Sequence, residues 1–356
     1  MTARRLTAVL VATLALVGGA RAGAQSPFAP PPEPKPSFLR LLAFADYFDA
    51  AALAQFERES GMTIAYDVYD APESIPGKLR DGPYDLVVLP GPVLRRQIEA
   101  GALRKLDRAR LPHAANAAPA IAAKLAAYDP SGAYGVAYMW FASGLLYDSD
   151  LVFARLHAAP TSWGALFAPD LARRLADCGI ATPDGRDDLF MAAWRFLGVN
   201  PARLDALDVR RAADLLIRVK AGARAFAVRD YVGALANGSV CLSPGRMDDA
   251  ASATTRARQA GRKADIRFVA PREGSPMSLD ALAIPSDSPH LAQSYALLDF
   301  LLRPDIAARD ARATGLSSGE DAGDAELLKR LYPSGAVDAV LAAALDKEWA
   351  RVKAAK

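Results

Sequence analysis

FLRLLAFADYFDAAALAQFERESGMTIAYDVY, residues 38–69, and YDLVVLPGPVLRRQIEAGAL, residues 84–103, set the architecture. Within them, FLRLLAF (38–44) and TIAYDVY (63–69) are short apolar runs flanking the amphipathic DAAALAQFERESG, and YDLVVLP (84–90) leads into the helical VLRRQIEAGAL. Strands of this length separated by amphipathic helices predict a parallel sheet covered on both faces, an α/β fold. Further strands are expected at 135–148, 179–182, 225–228, 239–243, 265–271 and 279–285, with helical stretches between most of them. No internal repeat is evident, and two α/β lobes sharing crossing strands accommodate the count.

The 356 residues are 52% apolar and 23% charged, which excludes disordered, collagen-like and disulfide-dense classes and leaves room for about two domains. Residues 1–24, MTARRLTAVLVATLALVGGARAGA, combine two arginines, an apolar run from Leu6 to Val17, and small residues fitting A-x-A at Ala20 and Ala22 or at Ala22 and Ala24. That is the pattern of a secretory signal peptide, and the run is well short of the roughly 20 residues of a spanning helix. Arg4-Arg5 alone is weak evidence for a twin-arginine route. No cysteine precedes Cys178, so a lipid-modified N-terminus is not expected; the expected product is soluble in the periplasm after cleavage. Residues 28–37, FAPPPEPKPS, carry five prolines in ten, and 25–37 is expected to be an extended tether. Of 43 basic residues, Arg4, Arg5 and Arg21 lie in the leader, leaving 40 against 40 acidic ones. A neutral domain lacks the basic stripe that nucleic acid requires.

Cys178 and Cys241 are the two cysteines. In an exported chain an even count predicts one bridge, and closing a loop of about 60 residues restricts the unfolded chain by roughly 4 kcal/mol. Without a nearby histidine the pair cannot supply the four ligands of a structural zinc. No metal motif, phosphate loop or G-x-G-x-x-G after a strand is found, so no cofactor is expected. GLSSG, residues 315–319, matches G-x-S-x-G, yet a nucleophile elbow needs a strand before it, a helix after it and a downstream histidine. His113, His157 and His290 all precede Ser317. They read as solvated boundary residues, Ser317 reads as a turn residue, and an exported serine hydrolase is the remote alternative to a protein that is not an enzyme.

Ligands of α/β lobes sit beyond the carboxyl ends of strands. Asp46 follows the first strand with Phe44 and Tyr47 beside it, Asp188 opens a helix after residues 179–182, Asp249 follows SVCLSPGRM, and Asp280 lies in SLDALAI. Asp46 and Asp188 could each serve simply as a helix cap. Four acids at strand ends with aromatics beside one suggest instead a pocket for a cation.

At these residues the chain resembles the spermidine/putrescine ABC-transporter substrate-binding family, from about Phe38 to Leu316. FADYFDAAALAQFERESGMTIAYDVYDAPESIPGKL, YDLVVLPGPVLRRQIEAGALRKLDRARLP, AYMWFASGLLYDSD, CGI, NGSVCL and LLRPDIAA carry the resemblance in order. It implies a two-lobed, hinge-closing periplasmic binding protein of type II-like topology, with the ligand cleft between the lobes and hinge strands crossing between them. Lobe 1 is expected at 38–144 plus about 268–318 and lobe 2 at 145–267 plus about 319–356. The resemblance also implies that Cys178 and Cys241 form the family's disulfide and that the partner is an inner-membrane ABC permease, served by a monomer. The family's tryptophan-serine-aspartate-tyrosine pattern stands here as Phe44-Ala45-Asp46-Tyr47. Asp188 matches a family glutamate, and Asp249 and Asp280 match two family aspartates. The neutral walls differ: Pro90 stands for a serine, Arg246 for a tryptophan, Ser278 for a phenylalanine and Leu316 for a tyrosine.

Replacing three aromatic walls, each worth roughly 0.5–2 kcal/mol to an ammonium, would weaken a diamine appreciably. Arg246 would also repel one end of it if it faces the cleft, and would then suit a ligand carrying both an amine and a carboxylate. The expected function is capture of a polyamine, putrescine-like, or another small amine-bearing ligand for an ABC importer. An amino-acid or zwitterion receptor of the same fold is the alternative within binding proteins, and a receptor-coupled sensor is another.

Overall fold

The computed structural model describes residues 38–116, 119–200, 203–318, 325–335 and 339–355. The expected signal peptide (1–24) and tether (25–37) lie outside the described residues. Among the described residues ten strands are formed: β1 Phe38–Ala43, β2 Thr63–Val68, β3 Leu86–Pro90, β4 Gly135–Asp148, β5 Ala181–Pro183, β6 Ala225–Val228, β7 Leu242–Arg246, β8 Ile266–Val269, β9 Ser275–Ala283 and β10 Leu331–Pro333. Eight belong to one sheet in the order β2-β1-β3-β9-β4-β7, with β10 beside β9 and β8 beside β4; β5 and β6 pair separately.

The purely parallel sheet expected from the alternation is corrected to a mixed one. β1 runs parallel to β2 and β3, whereas β9 runs antiparallel to both β3 and β4, and β7 and β8 run antiparallel to β4. The cause is the course of the chain. β4 is a continuous strand of 14 residues, and the chain later returns alongside it as β8 and then β9, with residues 270–274 between them. A return path laid against its own outward strand must be antiparallel.

Side chains of β4 divide between separate apolar cores. Val136, Tyr138 and Met139 pack with residues of β1, β3 and the helix Leu291–Leu301, and Ala137, Trp140 and Ala142 pack on the opposite face. Beyond Ser143 the neighbours change. Leu145 and Tyr147 join a core built from the helices Arg186–Phe196, Ala206–Gly222 and Ala339–Ala354, while Leu146 joins a smaller core with Leu235, Val240 and Ile266. Gly144 marks the change: a Cβ there would stand 2.5 Å from the Val269 carbonyl oxygen, so a side chain would force the two crossing strands apart.

Cys178 and Cys241 are joined, with Cα atoms 5.5 Å apart, and tie the approach to β5 to the approach to β7. β7 starts three residues later than expected and runs through Pro244 and Gly245. A proline is tolerated there because β7 is the last strand in the order, where its missing N–H breaks no ladder bond. Among the described residues no helix is long and apolar enough to cross a membrane.

Candidate functional site

Four neighbouring strands, buried almost throughout, each leave one residue only partly buried: Pro90 in β3, Ser278 in β9, Phe141 in β4 and Arg246 in β7. Register aligns them. Pro90 lies opposite Asp280, Ser278 opposite Phe141, and Arg246 opposite Ser143. Opposed residues of an antiparallel pair, and residues two apart on one strand, share a face. Pro90, Asp280, Ser278, Phe141, Ser143 and Arg246 therefore form one stripe across the sheet. A cavity of about 540 Å³ lies on it, lined by Pro90, Phe141, Arg246, Ser278 and Asp280 from the strands.

The loop after β1 adds Phe44, Asp46 and Tyr47 to the same cavity, the last residue of the helix Pro304–Thr314 adds Thr314, and the turn after it adds Leu316. Gly315 at φ 72° ends that helix in the left-handed region, which redirects the chain so that Leu316 reaches the wall. Asp46 is itself left-handed, φ 52°, and exposed. Among the described residues no hydrogen bond reaches its carboxylate. The capping role open to Asp46 in sequence is taken by Asp49, which accepts from Ala52 N at 2.7 Å. The Phe44 ring packs against Tyr69, tilted by 55° at 4.3 Å between centroids, and stands 6.0 Å from Tyr47.

Asp280 is 7% exposed and accepts one side-chain hydrogen bond, from the Tyr47 hydroxyl at 2.9 Å. Burial pushes its carboxyl up to about 6, against the opposing pull of Tyr47 and Arg246. The same burial, beside Asp280, holds the Tyr47 phenol well above its usual value, so it is a fixed donor. Asp188 lines an adjoining cavity of about 600 Å³ that shares Pro90 and Ser278 with the first. Its helix is capped by no side chain at Gly185; Asp188 instead accepts from Ser143 Oγ at 3.0 Å, and burial raises its pKa. Its neighbours Asp187 and Asp346 are both paired with Arg186.

Arg246 faces the cavity. Its guanidinium lies 4.2 Å over the Phe141 ring, while Nε and Nη2 donate to Asp248 at 3.1 and 2.8 Å. Asp249 lines neither cavity: it accepts from the Tyr231 hydroxyl and from Arg246 N, the latter at 3.2 Å. Phe141 is a site residue that the sequence reading missed, because it sits inside an unbroken apolar run and only register shows which side it faces.

The hydrolase motif forms no elbow. Ser317 follows a helix and is bridged to Trp140 by reciprocal backbone hydrogen bonds of 2.9 Å, and Gly319 lies outside the described residues. The reading of the histidines as merely solvated is corrected for two of them: His113 Nδ1 stands 2.7 Å from Asp299 Oδ2, and His290 Nδ1 stands 3.2 Å from buried Asp85. His157 ends the helix Ser149–Leu156.

A mixed sheet shared among separate apolar cores, with an acid-lined cleft where its strands cross, fits a bacterial extracellular solute-binding protein. The model of that family matches residues 51–320, and the chain belongs to it; the family is made up of solute-binding proteins, not enzymes. Its relatives include the putrescine-binding periplasmic protein PotF of Escherichia coli (strain K12), 34% identical over 275 residues, 76% of this chain and 74% of that one. A putrescine/agmatine-binding protein of Pseudomonas aeruginosa is 35% identical over 288 residues, 80% of this chain and 78% of that one. Among solved structures, the spermidine/putrescine ABC transporter substrate-binding protein PotD of Streptococcus pneumoniae aligns with TM-score 0.75 at 20% identity, covering 89% of this chain and 99% of that one. That likeness establishes the two-lobed fold.

Proposed function

We propose that the protein captures a small amine-bearing ligand of the polyamine class in the periplasm and delivers it to an ABC permease. The observation that carries this is the pairing of Asp280 with Asp46: two carboxylates without an ion-pair partner among the described residues, in a cavity walled by Phe44, Tyr47 and Phe141. A buried carboxylate needs a cation, and aromatic faces attract one. Relatives named for putrescine, agmatine and spermidine support the same chemistry. Lobe 1 is 38–144 with about 268–318 and lobe 2 is 145–267 with about 319–356; the change of cores at Ser143 and Gly144 supports the first boundary and the packing of Leu345, Trp349 and Val352 supports the last segment, whereas Leu328 and Leu331 pack with lobe 1. Asp46, Tyr47 and Asp280 then belong to lobe 1, and Asp188 and Arg246 to lobe 2. Ligand bridging them shifts the population toward the closed form. The leader 1–24 is removed on export, and the binding unit is a monomer. Titration calorimetry of ligand-stripped protein with putrescine, spermidine, agmatine, arginine and glutamate tests the reading: an amine binds and glutamate does not. Tight glutamate binding with no response to any amine overturns it.

A further inference from the structure

We propose that Arg246 sets the charge of the ligand, making this cleft a receptor for an alkyl amine with one free ammonium and, at its other end, an oxygen acceptor in the form of a carboxylate or an acylated nitrogen. The inference rests on the amine-binding reading above and narrows it.

Arg246 and Asp280 occupy opposite ends of the stripe. They are two strands apart laterally, and Arg246 faces Ser143 while Ser278, two residues from Asp280, faces Phe141. At ordinary strand spacings that separates their backbones by roughly 15 Å, a gap that the two side chains and a short alkyl chain fill. The Asp280 end, with Asp46, offers negative charge. At the other end the Phe141 face, where a second ammonium would stack, is already covered by the guanidinium at 4.2 Å. A second ammonium placed there meets a like charge.

Arg246 is also oriented to donate. Asp248 holds Nε and Nη2, and among the described residues Nη1 makes no hydrogen bond although the side chain lines the cavity. A guanidinium fixed on two nitrogens with a third directed to a ligand oxygen is a pre-organised donor. A guanidinium N–H donates to a neutral carbonyl as well as to a carboxylate.

Calorimetry of the ligand-stripped full chain with 1,4-diaminobutane, N-acetyl-1,4-diaminobutane and 4-aminobutyrate is the test, and the last two separate a neutral from an anionic acceptor. The parent is expected to bind at least one oxygen-bearing probe about tenfold or more tightly than the diamine, and Arg246→Gln to reverse that order. Arg246→Lys keeps the charge but not the fork; it should still disfavour the diamine while losing affinity for the oxygen-bearing probes. A parent that binds the diamine at least as tightly as both others, or an Arg246→Gln ratio within about twofold of the parent's, overturns the proposal. Failure of all three probes with parent and variants alike overturns the amine-binding reading itself.

Discussion

Asp280 carries a titration that can be followed. Burial sets it, and likewise Asp310, at about 6, against roughly 3.9 in an unfolded chain. Between those values the folded protein holds protons that the unfolded chain has released. The two groups therefore add stability below about pH 4, and that share is lost as pH rises through 6. Ligand-free protein should be about 1 kcal/mol per group more stable at pH 5 than at pH 7, and Asp280→Asn, always neutral, should remove its part in urea unfolding at the two pH values. Binding runs the other way. An ammonium needs ionised Asp280, so affinity should fall by up to about tenfold per unit below pH 6, and Asp280→Asn should flatten that profile. The same substitution is expected to weaken binding at pH 7.5 by roughly 1.5–3 kcal/mol, read by calorimetry, and Asp249→Asn, which lines neither cavity, by less. Asp46 and Asp188 were legible in sequence as acids following strands; Asp280, which lies within β9 and not at a strand end, was legible as an acid. Whether Asp46 capped a helix was not, because Asp49 three residues on carries the same signal and a carboxylate's orientation is set by backbone angles that the sequence does not display.

Among elements, β4 was legible from end to end, since the 13 residues of the strand before Asp148 carry no charge. Strand direction was not: alternation of strand and helix is equally compatible with a returning strand once the intervening helices belong to another core. The helix Pro304–Thr314 is bound to β4 through Asp310, which is fully buried, accepts the Tyr138 hydroxyl, and accepts Asp49 N at 2.7 Å. This one carboxylate fastens the crossing strand, the start of the helix Ala50–Ser60 and, through it, the loop bearing Asp46 and Tyr47. Tyr138→Phe leaves a buried carboxylate short of a donor and should destabilise the protein by about 1–3 kcal/mol, measured by denaturant unfolding at pH 7, with the loss reduced at pH 5 where Asp310 is protonated. Reduction of Cys178–Cys241, a loop of 63 residues, should cost about 4 kcal/mol in the same measurement.

For the molecule as a whole, binding across the cleft should appear as both stabilisation and compaction. Ligand at about 100 times its Kd should stabilise the fold by about 2.7 kcal/mol, and small-angle scattering should show a smaller radius of gyration than for the stripped protein; binding without compaction would set aside lobe closure. Gly144→Ala should blunt that compaction, because its Cβ would wedge against Val269 at the crossing. The crossing itself has an evolutionary consequence. Since β4 leaves one core for the other and β8–β9 retrace its path, neither half of the molecule is a single run of chain, and no single recombination breakpoint can exchange one half for a relative's.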